Sequence, residues 1–337
     1  MGFGSDPEIF LLDKEGSVVP SKVLLGESKF EVSNVGEVVQ DGFQVELHPY
    51  DSFCRQIAAS NIAYLITEFD KHVREKGYML SFAHGYTLKK KEFERLPVEE
   101  RVFGCNPTVN AYDEFLKKPS GETVRLRTGG GHIHLALPHG VRGNAKYAEK
   151  LVRVLDILVG NTCVLFDQTE ASTKRRKYYG RAGEFRMKPY GIEYRVPSNF
   201  WLRSYFLWSM VSGLSREAVM MTLTGSVATE LIDCVDEKDI RKAINSNDAE
   251  LAMANLQKVA EFLKAHQIET GAGLSHENID IFLRIVKNRR IMSQFKRTPT
   301  VATVVKNWKA RLHGADGFER TLDKNIERVS RFLPIKI

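Results

Sequence analysis

Cysteine is scarce: the 337 residues contain four, Cys54, Cys105, Cys163 and Cys234, and none forms a C-x-x-C pair. That spacing excludes a disulfide framework, a zinc ribbon and a thioredoxin-like redox pair, and predicts reduced thiols in a cytosolic protein. Long apolar runs are missing as well. No stretch reaches about 18 uninterrupted apolar residues, and the start, MGFGSDPEIF, has neither the basic region nor the apolar run of a secretory signal. Cytoplasmic residence is therefore expected, and membrane spanning is not. The common catalytic signatures are also absent. GNAK at Gly143 to Lys146 lacks Walker A spacing, and neither H-E-x-x-H nor G-x-S-x-G occurs. There is no internal repeat and no low-complexity tract.

What is present describes a folded chain with room for one large domain or two ordinary ones. Hydrophobic residues make up 43% and charged residues 27%, which excludes a disordered chain. The net charge of +7 is uneven: residues 281–337 hold 14 Lys and Arg against 4 Asp and Glu. Such a segment can attract nucleic acid or phosphorylated substrates. The texture changes near residue 225. Before it, strand-like alternation is punctuated by Gly, Pro and Asn, with a few long helical segments; after it the pattern is almost wholly helical. We divide the chain into 1–225 and a basic helical extension, 226–337. Apolar stripes predict a helix opening at Asp51 or Ser52, a second through Lys146 to Val164, and a third after Pro197. The fold class expected is α+β, a curved antiparallel sheet with helices behind it.

Four short segments place polar residues two apart within apolar alternation, so that on a strand each pair shares a face. They are Asp6 and Glu8 in GSDPEIFLL; Gln44, Glu46 and His48 in DGFQVELHP; His132 and His134 in GGGHIHLAL; and Glu193 and Arg195 in GIEYRVPSN. If these strands lie in one sheet, its inner face collects Asp6, Glu8, Glu46, His132 and Glu193. That is a set of oxygen donors with an imidazole, suited to magnesium or manganese. Ionised carboxylates crowded away from water need a cation to compensate them. Taken singly, each segment also fits a solvated strand edge, a hydrogen-bonded core histidine or a surface ion pair. A further cluster, Lys174, Arg175, Arg176, Lys177, Arg181, Arg186 and Lys188, faces only Glu184 among acids between residues 171 and 188. It reads as a clamp for a polyphosphate or as a solvated loop.

These motifs resemble the glutamine synthetase and glutamate-cysteine ligase superfamily, most closely the phage-type carboxylate-amine ligases called type 2. Gly4-x-Asp6-x-Glu8 is similar to the family's first acidic strand, with Asp replacing one Glu. Gln44-x-Glu46 is similar to its second acidic strand, and Gly131-His132-x-His134 to its histidine strand. Arg181-x4-Arg186 followed by Ile192-Glu193-x-Arg195-x-Pro197 resembles the arginine run and I-E-x-R-x-P-D segment, with Ser198 in place of the usual Asp. The likeness runs through residues 4–200. It implies a glutamine synthetase-like fold and ATP with Mg2+ or Mn2+ as cofactors. Glu8 and Glu46, with Asp41 as a further candidate, would hold one ion; Asp6, His132 and Glu193 would hold another. His134 would lie near the nucleotide. Arg181, Arg186 and Arg195 would contact phosphates or the reacting carboxylate, and Lys188 joins them as a nucleotide-binding candidate.

The activity implied is ATP-dependent amide-bond formation through an acyl phosphate, with small-molecule or peptide carboxylates and amines as partners. Alternatives are an inactive relative that binds nucleotide, and a nucleic-acid-binding accessory protein acting through residues 281–337. A cupin-type metalloenzyme fits poorly, since no Glu follows the second histidine at the spacing a cupin uses.

Overall fold

The computed structural model describes residues 2–26, 28–52, 54–101, 109–112, 124–270, 276–288 and 299–312. Its strands, in chain order, are β1 (Gly2–Ser5), β2 (Glu8–Leu12), β3 (Val18–Val19), β4 (Phe30–Val32), β5 (Gly36–Asp41), β6 (Gln44–Pro49) and β7 (Met79–Ser81). They continue with β8 (Gly85–Thr87), β9 (Val109–Asn110), β10 (Leu126–Thr128), β11 (Ile133–Ala136), β12 (Glu184–Lys188) and β13 (Gly191–Tyr194). One sheet runs β1-β11-β13-β12-β9 and another β3-β2-β6-β5-β4, with β7 also on β2 and β8 paired to β10. Every pairing is antiparallel.

The four acidic and histidine segments thus lie on two sheets, not one. Pro7 explains the break: it has no N–H for a ladder, so β1 and β2 form one run interrupted at Asp6–Pro7. The sheets stay joined across the interruption. Leu47 N–H donates to the Pro7 carbonyl at 3.0 Å, and Glu8 N–H donates to the Gly130 carbonyl at 2.9 Å. Together they curl into one half-barrel wall, the curved antiparallel sheet of an α+β fold.

The alternation buries one face of each strand. Ile9, Leu11, Val45, Leu47, Ile133, Leu135, Ile192 and Tyr194 are all buried in a single core, each large aliphatic side chain contributing about 1.5–3 kcal/mol on leaving water. The helix Arg55–Glu75 lies against this core through Ile62, Leu65, Ile66 and Phe69. It begins three residues later than Ser52, whose hydroxyl instead accepts the Cys54 N–H. The second helix is interrupted: Ala145–Leu155 passes into a π-turn, Asp156–Gly160, then into Asn161–Phe166. After Pro197 comes a 3-10 turn, Asn199–Arg203, and then the helix Tyr205–Thr224, capped by the Ser204 hydroxyl. Ser198 caps the 3-10 turn by accepting from Phe200 N–H.

Beyond residue 225 the described chain is helical, as expected, and the helices share the same core. Ile240, Ile244, Leu256, Leu263, Phe282 and Trp308 belong to it. Trp308 donates its indole N–H to the Leu202 carbonyl at 3.0 Å, tying the helix Val301–Leu312 to the 3-10 turn. Of the cysteines, Cys54 is exposed, Cys163 buried and Cys234 intermediate, all free; Cys105 lies outside the described residues. No helix among the described residues is long and apolar enough to cross a membrane.

Candidate active site

The polar face of the curled wall opens on a cavity of about 570 Å³. Two groups of ligand-type side chains gather at it, and all their members line it except Glu8, which is buried. In the first, Asp6, His132 and Glu193 each offer one donor atom within 4.8 Å of the others. Asp6 sits at the β1–β2 interruption, His132 just before β11, and Glu193 in β13, which pairs with β11 in the register His134 to Glu193. His132 Nδ1 lies 3.1 Å from Asp6 Oδ1 and 3.6 Å from Glu193 Oε1. His132 Nδ1 and Asp6 Oδ1 are buried and face each other as an ion pair that falls short of hydrogen-bond geometry. Buried polar groups without well-formed hydrogen bonds are costly, and a cation among these donors would complete them.

The second group, Glu8, Asp41 and Glu46, also brings one oxygen from each within 4.8 Å. β2 and β6 set Glu8 directly opposite Glu46, and the two-residue turn at Gly42-Phe43 returns Asp41 to the same end of the hairpin. Burial pushes the Glu8 carboxyl well above its usual range, and Asp41 and Glu46 push it further. Burial likewise raises Asp41 and lifts Glu46 to about 7, although the His48 hydrogen bond at 2.8 Å opposes the rise at Glu46. Asp6 behaves oppositely: burial works to raise it, but His132 and His134 outweigh burial and hold it well below the usual range. Three carboxylates fit a hard cation with oxygen ligands, and the mixed group fits manganese or magnesium.

Surrounding residues fix these donors. Gly130 N–H donates to Glu8 Oε2 at 2.7 Å. The run Gly129-Gly130-Gly131 is required by close approach: a Cβ at Gly130 would lie 2.6 Å from His132 Nε2, and one at Gly131 would lie 2.4 Å from the Ser198 carbonyl oxygen. Tyr179 meets His132 Nε2 through its hydroxyl at 3.1 Å, while its ring lies under the guanidinium groups of Arg175 and Arg195. His134 Nε2 contacts Asp6 Oδ2 at 2.9 Å, and its Nδ1 contacts the Tyr190 hydroxyl at 2.5 Å. Each histidine of the H-x-H pair is thus held by a tyrosine, which fixes ring orientation.

Beside Glu193, on β12 and just beyond β13, stands a cationic wall. Arg186 and Lys188 approach Glu193 Oε2 at 3.2 and 3.1 Å, and Arg195 Nε approaches Oε1 at 3.0 Å. Glu193 and Arg195 are each 1% exposed, so this is a buried network, not a surface pair.

The basic cluster divides. Arg186 and Lys188 reach the cavity, but Arg175 and Arg176 are buried and bind the Val196, Arg195, Pro197 and Gly180 carbonyls. Lys174 pairs with Glu170. Arg181 is not part of the cavity wall, because the tight turn between Gly180 and Gly183, both at positive φ, places it before β12 begins. The loop is therefore not a clamp in which every cation faces the cavity.

The resemblance assigned Glu8 and Glu46, with Asp41 as a further candidate, to one ion and Asp6, His132 and Glu193 to another; the structure gathers the same two groups, Glu8 buried and the other five on one cavity. Asp41 came from the resemblance alone, and the structure sets it at the end of β5, paired with Gln44. Tyr179 and Tyr190 carried none, since each is an ordinary aromatic until the fold sets it beside an imidazole. A third polar cluster, His84, Asp167, Ser172 and Arg203, is buried away from the cavity; His84 Nδ1 lies 2.6 Å from Asp167 Oδ1. Its burial makes it a structural tie between the β8 region and the 3-10 turn.

A family described as phage phiEco32-like COOH.NH2 ligase-type 2 matches residues 120–295. The matched stretch contains His132, His134, Arg186, Lys188, Glu193 and Arg195; Asp6, Glu8, Asp41 and Glu46 lie before it. No curated protein matches the chain.

Proposed function

The chain belongs to the phage phiEco32-like COOH.NH2 ligase-type 2 family, and from that premise we propose that it joins a carboxylate to an amine at the expense of ATP, through an acyl phosphate. The observation that carries this reading is the pairing of two acidic groups with three cations around one cavity. ATP-driven acyl activation calls for that combination, because the phosphates and the substrate carboxylate are all anions.

Asp6, His132 and Glu193 would hold one divalent ion, and Glu8, Asp41 and Glu46 a second. When bound, such ions neutralise phosphate charge and polarise its oxygens. The cationic wall draws in the substrate carboxylate, whose oxygen attacks the γ-phosphorus of ATP and expels ADP. The amine then attacks the acyl carbon, inorganic phosphate leaves, and the nitrogen loses its proton to give the neutral amide. Arg186, Lys188 and Arg195 are held in advance by Glu193, so they stabilise charge on the transferring phosphoryl group with little reorganisation. His134 acts as a positioning residue, since by engaging Asp6 Oδ2 it leaves Oδ1 turned toward His132. The resemblance also implies a role for His134 near the nucleotide, and its position on the cavity wall supports that reading.

The test is a cell extract incubated with ATP, magnesium and protein, followed by mass spectrometry for a product one water lighter than two metabolites combined, with ADP and phosphate measured in parallel. Wild type should form the product, and Glu8→Ala and Glu193→Ala should not. Nucleotide turnover that is independent of magnesium and identical in the variants would defeat the reading. The positive charge of residues 281–337 supports nucleic-acid binding as a second reading. A salt-sensitive RNA or DNA shift that survives Glu193→Ala and vanishes on deleting that segment would favour it.

A further inference from the structure

Most anions of the cavity are matched by a cationic or imidazole side chain. Asp6 faces two histidines, Glu37 meets Lys29 and His48, Glu46 meets His48, and Glu193 meets three cations. Asp41 belongs to the carboxylate group already assigned to an ion. Asp51 also lines the cavity, is exposed to it, and has no hydrogen bond or ion pair from its carboxylate among the described residues.

Its location is close to the reacting groups. A Cβ built on Gly4 would lie 3.4 Å from both Asp51 Cβ and His134 Cβ, so a glycine alone separates Asp51 from the His134–Asp6 pair. Gly2, Gly4 and Ala136 leave this part of the wall with nothing larger than a methyl group, and Tyr50 and Tyr190 line the cavity as well. There is space there for a ligand, and one uncompensated negative charge.

We propose that Asp51 is the recognition carboxylate for the ammonium group of the amine substrate, which is therefore an alkylamine that is cationic at neutral pH. The inference rests on the ligase reading and names a substrate class within it. Charge decides among the three reactants: ATP and the carboxylate substrate are anions that an unpaired carboxylate repels, whereas the amine is the one reactant that enters as a cation. Held at Asp51, the ammonium lies beside His134 and Asp6; it gives one proton to solvent to become the neutral amine that attacks the acyl carbon, and the second proton is lost as the amide forms.

The test uses the full chain with magnesium and a non-hydrolysable ATP analogue, and propylammonium as the probe, followed by ligand-observed NMR. Wild type should bind propylammonium and not the uncharged propanol. Asp51→Asn, an exposed and nearly isosteric change, should weaken propylammonium by about tenfold or more, the loss of one charge-assisted hydrogen bond. The ATP analogue should bind both proteins equally by calorimetry. Equal propylammonium binding in both proteins, or no binding in wild type, overturns the proposal. So does an Asp51→Asn protein that loses the ATP analogue, since Asp51 would then serve the nucleoside. Failure of the ligase reading has a separate signature: wild type would not bind the analogue in a magnesium-dependent way, while propylammonium binding still depended on Asp51.

Discussion

Asp156 provides a quantitative test of how the site is supported from behind. It opens the π-turn, is fully buried, accepts the Tyr194 hydroxyl at 2.6 Å, and accepts the Gly183 N–H at 2.6 Å. Tyr194 follows Glu193 and Gly183 precedes β12, so this one carboxyl fastens both strands of the cationic wall to the helix layer. Burial raises its carboxyl from 3.8 to about 7, against the opposing hydrogen bonds of Tyr194, Tyr112 and Gly183. A raised acid retains its proton in the folded state over a range where the unfolded chain has lost it. The contribution to stability is therefore complete below about pH 4 and is lost as pH rises to about 7. A shift of about three units corresponds to about 4 kcal/mol, undiminished by solvent because the group is buried. Urea unfolding, followed by tryptophan fluorescence in chelator from pH 4 to 8, should show wild type losing stability relative to Asp156→Asn by about that amount. A wild-type-minus-variant difference that stays flat across this window would refute the reasoning.

Three other outcomes follow from the same geometry. Glu46→Gln removes one of three crowded carboxylates, so the metal-free protein should keep or gain thermal stability at pH 8 while the stabilisation conferred by added Mn2+ shrinks, as read by melting with and without the ion. Tyr179→Phe removes the hydroxyl at His132 Nε2; Mn2+ titration followed by electron paramagnetic resonance should show affinity lowered by roughly 10–100-fold, with folding intact. Gly130→Ala sets a Cβ 2.6 Å from His132 Nε2, and should displace the imidazole, lowering both stability and manganese affinity, measured by urea unfolding and the same titration.

Much of the site was legible because strand periodicity is local. A side chain two positions along points to the same face whatever the rest of the chain does, so the pairs Gln44/Glu46 and His132/His134 could be grouped before any contact was known. The same rule failed at Asp6, where Pro7 interrupts the ladder and the carboxylate reaches the site from a bend. It also failed for the cations between residues 171 and 188, because charge in the sequence does not say which guanidinium will turn inward. Arg175 and Arg176 satisfy buried carbonyls; Arg186 and Lys188 face the cavity.

The sequence by itself determined the donor types, their alternation on strands, the helical character beyond residue 225 and the family resemblance, since all of these reside in short-range pattern and composition. Only the tertiary structure decided that the donor strands lie on two sheets, that Arg186 and Lys188 but not Arg175 and Arg176 face the cavity, and that tyrosines from the segment around β12 and β13 orient both histidines. It alone shows Asp51 on the cavity wall with no hydrogen bond or ion pair from its carboxylate among the described residues. Those facts depend on which strands pair and in what register, and register is set by the packing of the whole core, not by any residue's neighbours along the chain.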